Sequence, residues 1–336
     1  MRLKRSSNEL SDKSKDYNMN TKKPLVILTG PTAVGKTALS VKLAKQIGGE
    51  IISADSMQVY QYMDIGSAKI MPEETEGIPH HLIDVLDPSE ECNVVTFQRM
   101  AKECLKGIYE RGKIPVVVGG TGFYIQALLY DIDFEAEEDN TEIRSLLEQT
   151  SKEKGVHFLH EQLKAVDPVA AEEIHENNVK RVIRALEFYQ LNGFPISQHN
   201  QEQREKETAY SSCYFVLNDD RAKLYERIDL RVDKMLSQGL LEEVKKLKAM
   251  GYHKNMVSMQ GLGYKEILSY LDGELSLEEA IYLIKRDSRH FAKRQITWFK
   301  REKEVVWIEK PLFDYDDDKI LTFILETLNE KGILQQ

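Results

Sequence analysis

Residues 24–37 read Pro24-Leu25-Val26-Ile27-Leu28-Thr29-Gly30-Pro31-Thr32-Ala33-Val34-Gly35-Lys36-Thr37, an apolar run that passes straight into the pattern GxxxxGK[ST]. Leu25 to Leu28 have the character of a buried strand, and Lys36 to Gln46 that of a helix. A glycine-rich turn between a strand and a helix is a phosphate loop. Its glycines let successive backbone amides turn inward, and the helix N-terminus adds positive potential. Gly30, Pro31, Thr32, Ala33, Val34, Gly35, Lys36 and Thr37 therefore form a cradle for a diphosphate or nucleotide. Lys36 supplies a point charge and Thr37 a hydroxyl ligand for Mg²⁺.

Outward from the loop, Glu50 to Ala54, Leu82 to Leu86 and Ile114 to Val118 read as strands, with a helix from about Val94 to Tyr109. Strands alternating with helices predict an α/β fold, a P-loop NTPase-like parallel sheet flanked by helices. The stretch from Glu135 to Asn200 changes character. It opens on the acidic run Glu135 to Asn140, carries few strand signals and is rich in helix formers, and Gly193-Phe194-Pro195 breaks its last helix. Strand-like Cys213 to Leu217 then returns the chain to the sheet. One or two helices over 276–303 and a strand at Val305 to Ile308 follow.

The expected organisation is a disordered extension over 1–22, a catalytic core over 23–134 and 206–310, an all-helical insertion over 135–205, and a C-terminal helix or tail over 311–336. The Ser/Asn/Lys-rich start lacks the apolar segment of a secretory signal, and Met19 is a second candidate translation start.

The 336 residues carry 46 Lys plus Arg against 55 Asp plus Glu, a net charge of -9 that by itself argues against a nucleic-acid binder. Cys92, Cys104 and Cys213 are odd in number and widely spaced. They make neither a disulfide framework nor a zinc site, and a reducing cytoplasm fits them. No apolar stretch reaches the ~18 residues needed to span a bilayer, so no membrane is expected. His80 and His81 are adjacent with no partner spacing, which favours a structural role over metal binding.

Ligands bind outside the carboxyl ends of parallel strands. Asp55, at the end of the second strand, should therefore face the phosphate loop, although an Asp between Ala54 and Ser56 also suits a turn cap. Gly119-Gly120-Thr121-Gly122 ends another strand and should line the same crevice, or serve only as a tight turn. These residues alone leave a small-molecule P-loop kinase open.

GPTAVGKT, ISADSMQVYQYMDIGSAK, PHHLIDVLDP, VVVGGTGFYIQALL, VKRVIRALEFY, DDRAKLYERIDLRVDKML, QGLGYKE and AKRQITWFK follow one another in that order. Together they resemble the tRNA dimethylallyltransferases, also called tRNA isopentenyltransferases. The resemblance covers Pro24 to Ile308 and lacks the zinc-finger extension of eukaryotic members, so it is to the bacterial type. It implies transfer of a dimethylallyl group from dimethylallyl diphosphate to the exocyclic amine of the adenosine 3′ to the anticodon, with release of diphosphate and a requirement for Mg²⁺. The loop would then hold a leaving group. A near relative of that reaction, prenylation of free adenine nucleotides, is the other alternative.

By this resemblance Asp55 is the general base, Lys36 a catalytic charge and Thr121 a neighbour of the adenosine, while Arg221, Arg227 and Arg231 contact diphosphate or RNA backbone. Arg227 and Arg231 lie four apart on one helical face, and Arg227 is the foremost catalytic candidate. The same resemblance implies RNA contacts along four stretches. They are Ser56, Met57 and Gln58 beside Asp55; Arg144 with Lys180, Arg181, Val182, Ile183 and Arg184; Gln260, Gly261, Leu262, Gly263, Tyr264 and Lys265; and Lys293, Arg294, Gln295, Ile296, Thr297, Trp298, Phe299 and Lys300.

Independently, Lys180, Arg181 and Arg184 leave an apolar back of Val182, Leu186 and Tyr189, a pattern that a solvated face would also give. The segment 285–303 holds eight Lys or Arg against two acidic residues, with Trp298 and Phe299 placed either to stack on bases or to pack. The expected partners are dimethylallyl diphosphate and a tRNA anticodon stem-loop, bound by a monomer.

Overall fold

A computed structural model describes residues 22–134 and 141–334. The expected N-terminal extension, except Lys22, and the acidic run 135–140 lie outside the described residues. Strand β1 (Pro24–Thr29) leads through the phosphate loop into helix α1 (Lys36–Ile47), which ends on Gly48 at φ 63. Strands β2 (Gly49–Ala54) and β3 (His80–His81), helix α2 (Val94–Glu110), strand β4 (Ile114–Gly119) and helix α3 (Gly122–Leu129) complete the first half.

Five helices follow: α4 (Thr141–Lys154), α5 (Val156–Val166), α6 (Pro168–Glu173), α7 (Val179–Asn192) and α8 (Ile196–Glu205). Strand β5 (Ser211–Asn218) then precedes α9 (Arg221–Ser237), α10 (Leu240–Ala249), α11 (Tyr264–Leu271) and α12 (Leu277–Phe299). Strand β6 (Val305–Glu309) and helix α13 (Asp317–Glu330) end the described chain.

The six strands form one parallel sheet in the order β3-β2-β4-β1-β5-β6. β1 is central, and the period-two pleat sends Leu25 and Ile27 into one core and Val26 and Leu28 into the other. A third core, built on Leu159, Leu163, Val182, Leu186 and Phe188, belongs to α4–α8 alone.

The strand expected at Leu82–Leu86 falls instead at His80–His81, which pair with Ile51 and Ile52. Leu82 at φ 62 and Asp84 at φ 56 turn the backbone out of the extended region immediately afterwards. His81 bonds Glu50 at 2.7 Å, and Arg111 grips the same carboxylate at 2.9 and 2.7 Å. The Arg111 bond, with a smaller contribution from His81, overcomes burial and holds Glu50 down to about 2.

Candidate active site

The carboxyl ends of β1, β2 and β4, with α9 and α12, enclose a chamber of about 440 Å³. Thr32, Asp55, Thr121, Arg231 and Gln295 supply polar lining, while Met57, Tyr60, Tyr124, Met235 and Phe291 are among its apolar and aromatic walls. The glycines make this approach possible. A Cβ on Gly30, at φ 148, would lie 2.5 Å from the Leu217 carbonyl oxygen, and one on Gly119 would lie 2.1 Å from that of Ala54.

Lys36 folds back over the loop, its Nζ donating to the carbonyls of Gly30 at 2.9 Å and Pro31 at 2.8 Å. Burial pushes its ammonium down to about 7, with nearby Arg231 adding to the shift and Asp55 opposing it. Burial also lowers Arg231, again against Asp55. Lys36, Arg231 and Asp55 therefore share one electrostatic neighbourhood.

One oxygen of Asp55 caps the turn that follows, accepting from the amides of Met57 at 2.9 Å and Gln58 at 3.4 Å. Its other oxygen has no hydrogen-bond partner among the described residues. The cap and a chemical role are thus compatible, because they use different oxygens. The Thr121 hydroxyl accepts from Ser56 N–H at 3.3 Å, and its own N–H reaches the Ala54 carbonyl, tying the ends of β2 and β4 together. Ser56 and Met57 line the chamber, whereas the Gln58 side chain bonds back to Ser53 and Ala68.

The arginines separate. Arg231 lines the chamber, but Arg227, expected to be foremost, donates at 2.9 Å to the buried carboxylate of Asp219. A buried carboxylate needs a cation, so the end of β5 engages Arg227 and leaves the chamber to the next turn of α9. Arg221 is exposed and donates to the Tyr225 hydroxyl, outside the chamber lining.

The expected RNA contacts are corrected in a similar way. Val182 and Ile183 are buried in the helical core. Arg144 donates to the buried Glu187 at 3.2 and 2.7 Å, an ion pair that joins α4 to α7. Lys180, Arg181 and Arg184 are exposed. Gln260, Gly261, Leu262, Gly263 and Lys265 line the chamber, and a Cβ on Gly261 would lie 2.3 Å from Met57 Cε. Tyr264 is fully buried, its hydroxyl donating to Glu243 at 2.8 Å.

On α12, Phe299 is core and Ile296 partly buried, while Lys293, Arg294, Thr297 and Lys300 are exposed. Trp298 both packs edge-on to Phe123 and lines an outer groove with His290, Lys293, Arg294, Thr297 and Arg301. The basic stripe is shorter than it reads, because Lys285 pairs with Asp233 and Arg289 with Asp229 on α9.

Two contributors escaped the sequence reading, and a third was expected in another role. Gln295, expected to contact RNA, spans the phosphate loop and Gly120. Buried Lys310 sits beneath the loop, 3.5 Å from the Val34 carbonyl oxygen and 3.3 Å from Asp317. Glu243 accepts the amides of Asp64, Ile65 and Gly66. The bonds to Thr32, Gly120, Val34 and Asp64 to Gly66 all join residues distant in sequence, and no local pattern marks them.

Among the described residues no group of three His, Cys, Asp or Glu is placed to hold a metal. Thr37, exposed at the start of α1, is the oxygen donor that the loop presents. Such a spare donor set suits Mg²⁺, which keeps several waters and relies on substrate phosphate oxygens.

Taken by its architecture, the molecule is a P-loop α/β protein whose chamber joins an anion cradle to a carboxylate. A family model described as IPP transferase matches residues 58–302, and another described as isopentenyl transferase matches residues 23–90. A tRNA dimethylallyltransferase of Lachnoclostridium phytofermentans is 61% identical over 313 residues, covering 93% of this chain and 99% of that one. Another, from Carboxydothermus hydrogenoformans, is 52% identical over 300 residues, covering 89% and 96%.

The crystal structure of the full-length tRNA isopentenylpyrophosphate transferase of Bacillus halodurans matches with TM-score 0.68 and 46% identity, covering 94% of this chain and 99% of that one. A eukaryotic dimethylallyltransferase crystallised acting on tRNA matches with TM-score 0.75 and 32% identity, covering 85% and 74%. The chain belongs to the IPP transferase family, that of the tRNA dimethylallyltransferases.

Proposed function

We propose that this enzyme moves a dimethylallyl group from dimethylallyl diphosphate to the exocyclic amine of the adenosine 3′ to the anticodon of a tRNA. The observation that carries the reading is the presence of Asp55 and Arg231 together in the lining of one chamber, with Lys36 of the adjoining phosphate loop in electrostatic reach of both. A cation pair there can hold a leaving diphosphate, and a carboxylate oxygen with no other partner can take a proton.

In the reaction the allylic C–O bond breaks, and its electron pair leaves with diphosphate. The adenine nitrogen forms the new C–N bond, and its proton passes to Asp55. Preorganised loop amides, Lys36 and Arg231 stabilise the charge that develops on diphosphate, a contribution of about 3 kcal/mol for a well-placed donor. Asp55 answers the weak nucleophilicity of an amine conjugated with its ring. Thr121 fixes the turn that carries the carboxylate. Mg²⁺, held by Thr37 and by the diphosphate itself, would add further neutralisation of the leaving group.

The α4–α8 unit, with Lys180 and Arg181, and the exposed basic residues of α12 form the RNA-holding surfaces. We assign the enzyme to the cytoplasm, whose reducing conditions suit its three free cysteines. The rate of transfer in Asp55→Asn tests the assignment. Single-turnover transfer should fall at least ~10²-fold with dimethylallyl diphosphate binding intact, and an undiminished rate would remove Asp55 from the chemistry.

A further inference from the structure

Gln295 belongs to the basic helix α12, yet it is 6% exposed. Its Oε1 accepts the Thr32 N–H of the phosphate loop at 2.9 Å, and its Nε2 donates to the Gly120 carbonyl at 2.9 Å. The amide can sit only this way round, because Thr32 offers a donor and Gly120 an acceptor. The fit is close, since a Cβ on Gly120 would lie 2.2 Å from Nε2. Thr121 follows Gly120 directly and bonds to Ser56, the neighbour of Asp55. On the same helix Arg294 and Trp298 flank the outer groove.

We propose that Gln295 is a positioning residue. It locks the phosphate loop to the Gly120–Thr121 turn from the helix that faces RNA, so that diphosphate cradle and base carboxylate keep one register. This role rests on the prenyl-transfer reading of the site and replaces the expected contact of Gln295 with RNA. Through this link, movement of α12 on RNA binding reaches the loop by one side chain and two hydrogen bonds.

The experiment compares wild type with Gln295→Ala and Gln295→Glu. The alanine variant loses both bonds, and both its KM for dimethylallyl diphosphate and its Kd for inorganic diphosphate should rise ~10-fold. The glutamate variant is informative because a neutral carboxyl reproduces the amide, accepting from Thr32 and donating to Gly120. Once ionised it still accepts from Thr32 but cannot donate to Gly120, whose carbonyl it repels. Burial raises such a carboxyl well above the ordinary glutamate range, so its kcat/KM relative to wild type should climb ~10-fold as pH falls from about 8.5 to about 5.5.

Asp55, Arg231, Lys265 and Arg294, the charged groups that share the chamber lining with Gln295, and Lys36 of the phosphate loop are present in both proteins, so the ratio removes their own titration to first order. A merely space-filling role would leave the ratio level. A level ratio, or unchanged diphosphate affinity in Gln295→Ala, overturns the inference. Absence of transfer in wild type would instead refute the prenyl-transfer reading, and diphosphate affinity would still decide the role of Gln295.

Discussion

Lys36 sits in a conflict that its surroundings resolve only in part. Burial and Arg231 push its ammonium down to about 7 against the pull of Asp55. A lysine with a lowered native value binds fewer protons than the unfolded chain between about 7 and its ordinary 10.5. The penalty to stability is therefore full below about pH 7 and is relieved as pH rises toward 10.5. An arriving diphosphate reverses the shift, so binding takes up a proton above that value. Affinity for dimethylallyl diphosphate without RNA should weaken from about pH 7 to about pH 9, approaching tenfold per unit. Lys36→Arg, charged throughout, should flatten the profile; calorimetric titration across that range checks it, and a level wild-type affinity would contradict it.

At the same scale, the motif residues were legible because the loop is local. Gly30 to Thr37 are consecutive and sit between the strand and helix that give them meaning. The bond from Thr32 to Gln295 was not, because the two lie 263 residues apart. Arg227 and Arg231 share a helical face, and only the position of Asp219 separates their roles.

Helix α12 shows what composition conceals at the scale of one element. Eight cations in the segment 285–303 read as a single stripe, but Lys285 and Arg289 turn toward Asp233 and Asp229 on α9. Lys293 and Lys300 are exposed, and among the described residues no ion pair engages either, so the proposed function assigns these two to RNA phosphates. Neutralising phosphates with cations makes binding fall with salt, with a slope of about 0.7 to 0.9 per phosphate. The Lys293→Ala/Lys300→Ala double variant should lower the salt slope of tRNA binding by about 1.5, whereas Arg289→Ala should leave it unchanged. Equal effects would mean that the pairing with Asp229 opens on RNA. Periodicity located α12, but it could not show which faces its neighbours neutralise. It also misplaced β3, because a two-residue strand carries no period and the turn at Leu82 depends on a positive φ.

Over the whole molecule, a net charge of -9 coexists with a basic path. Acidic side chains gather where they cap and pair, as Asp316 does for the start of α13 and Glu187 does for Arg144. In the proposed function, exposed Lys180 and Arg181 of α7 and Lys293 of α12 are the cations that would meet a polyanion. The sheet order brings the ends of β1, β2 and β4 side by side, so residues far apart in the chain share one chamber. That convergence suits the proposed two-substrate reaction, which would put diphosphate on the loop and adenine near Asp55.

The most direct measurement is to incubate the full chain with labelled dimethylallyl diphosphate, Mg²⁺ and total bacterial tRNA, digest the tRNA and locate the label by mass spectrometry. Label confined to N6-dimethylallyladenosine from the position 3′ to the anticodon is the predicted result. Label on free AMP in preference to tRNA, or no transfer while ATP is consumed with a small acceptor, would contradict the account.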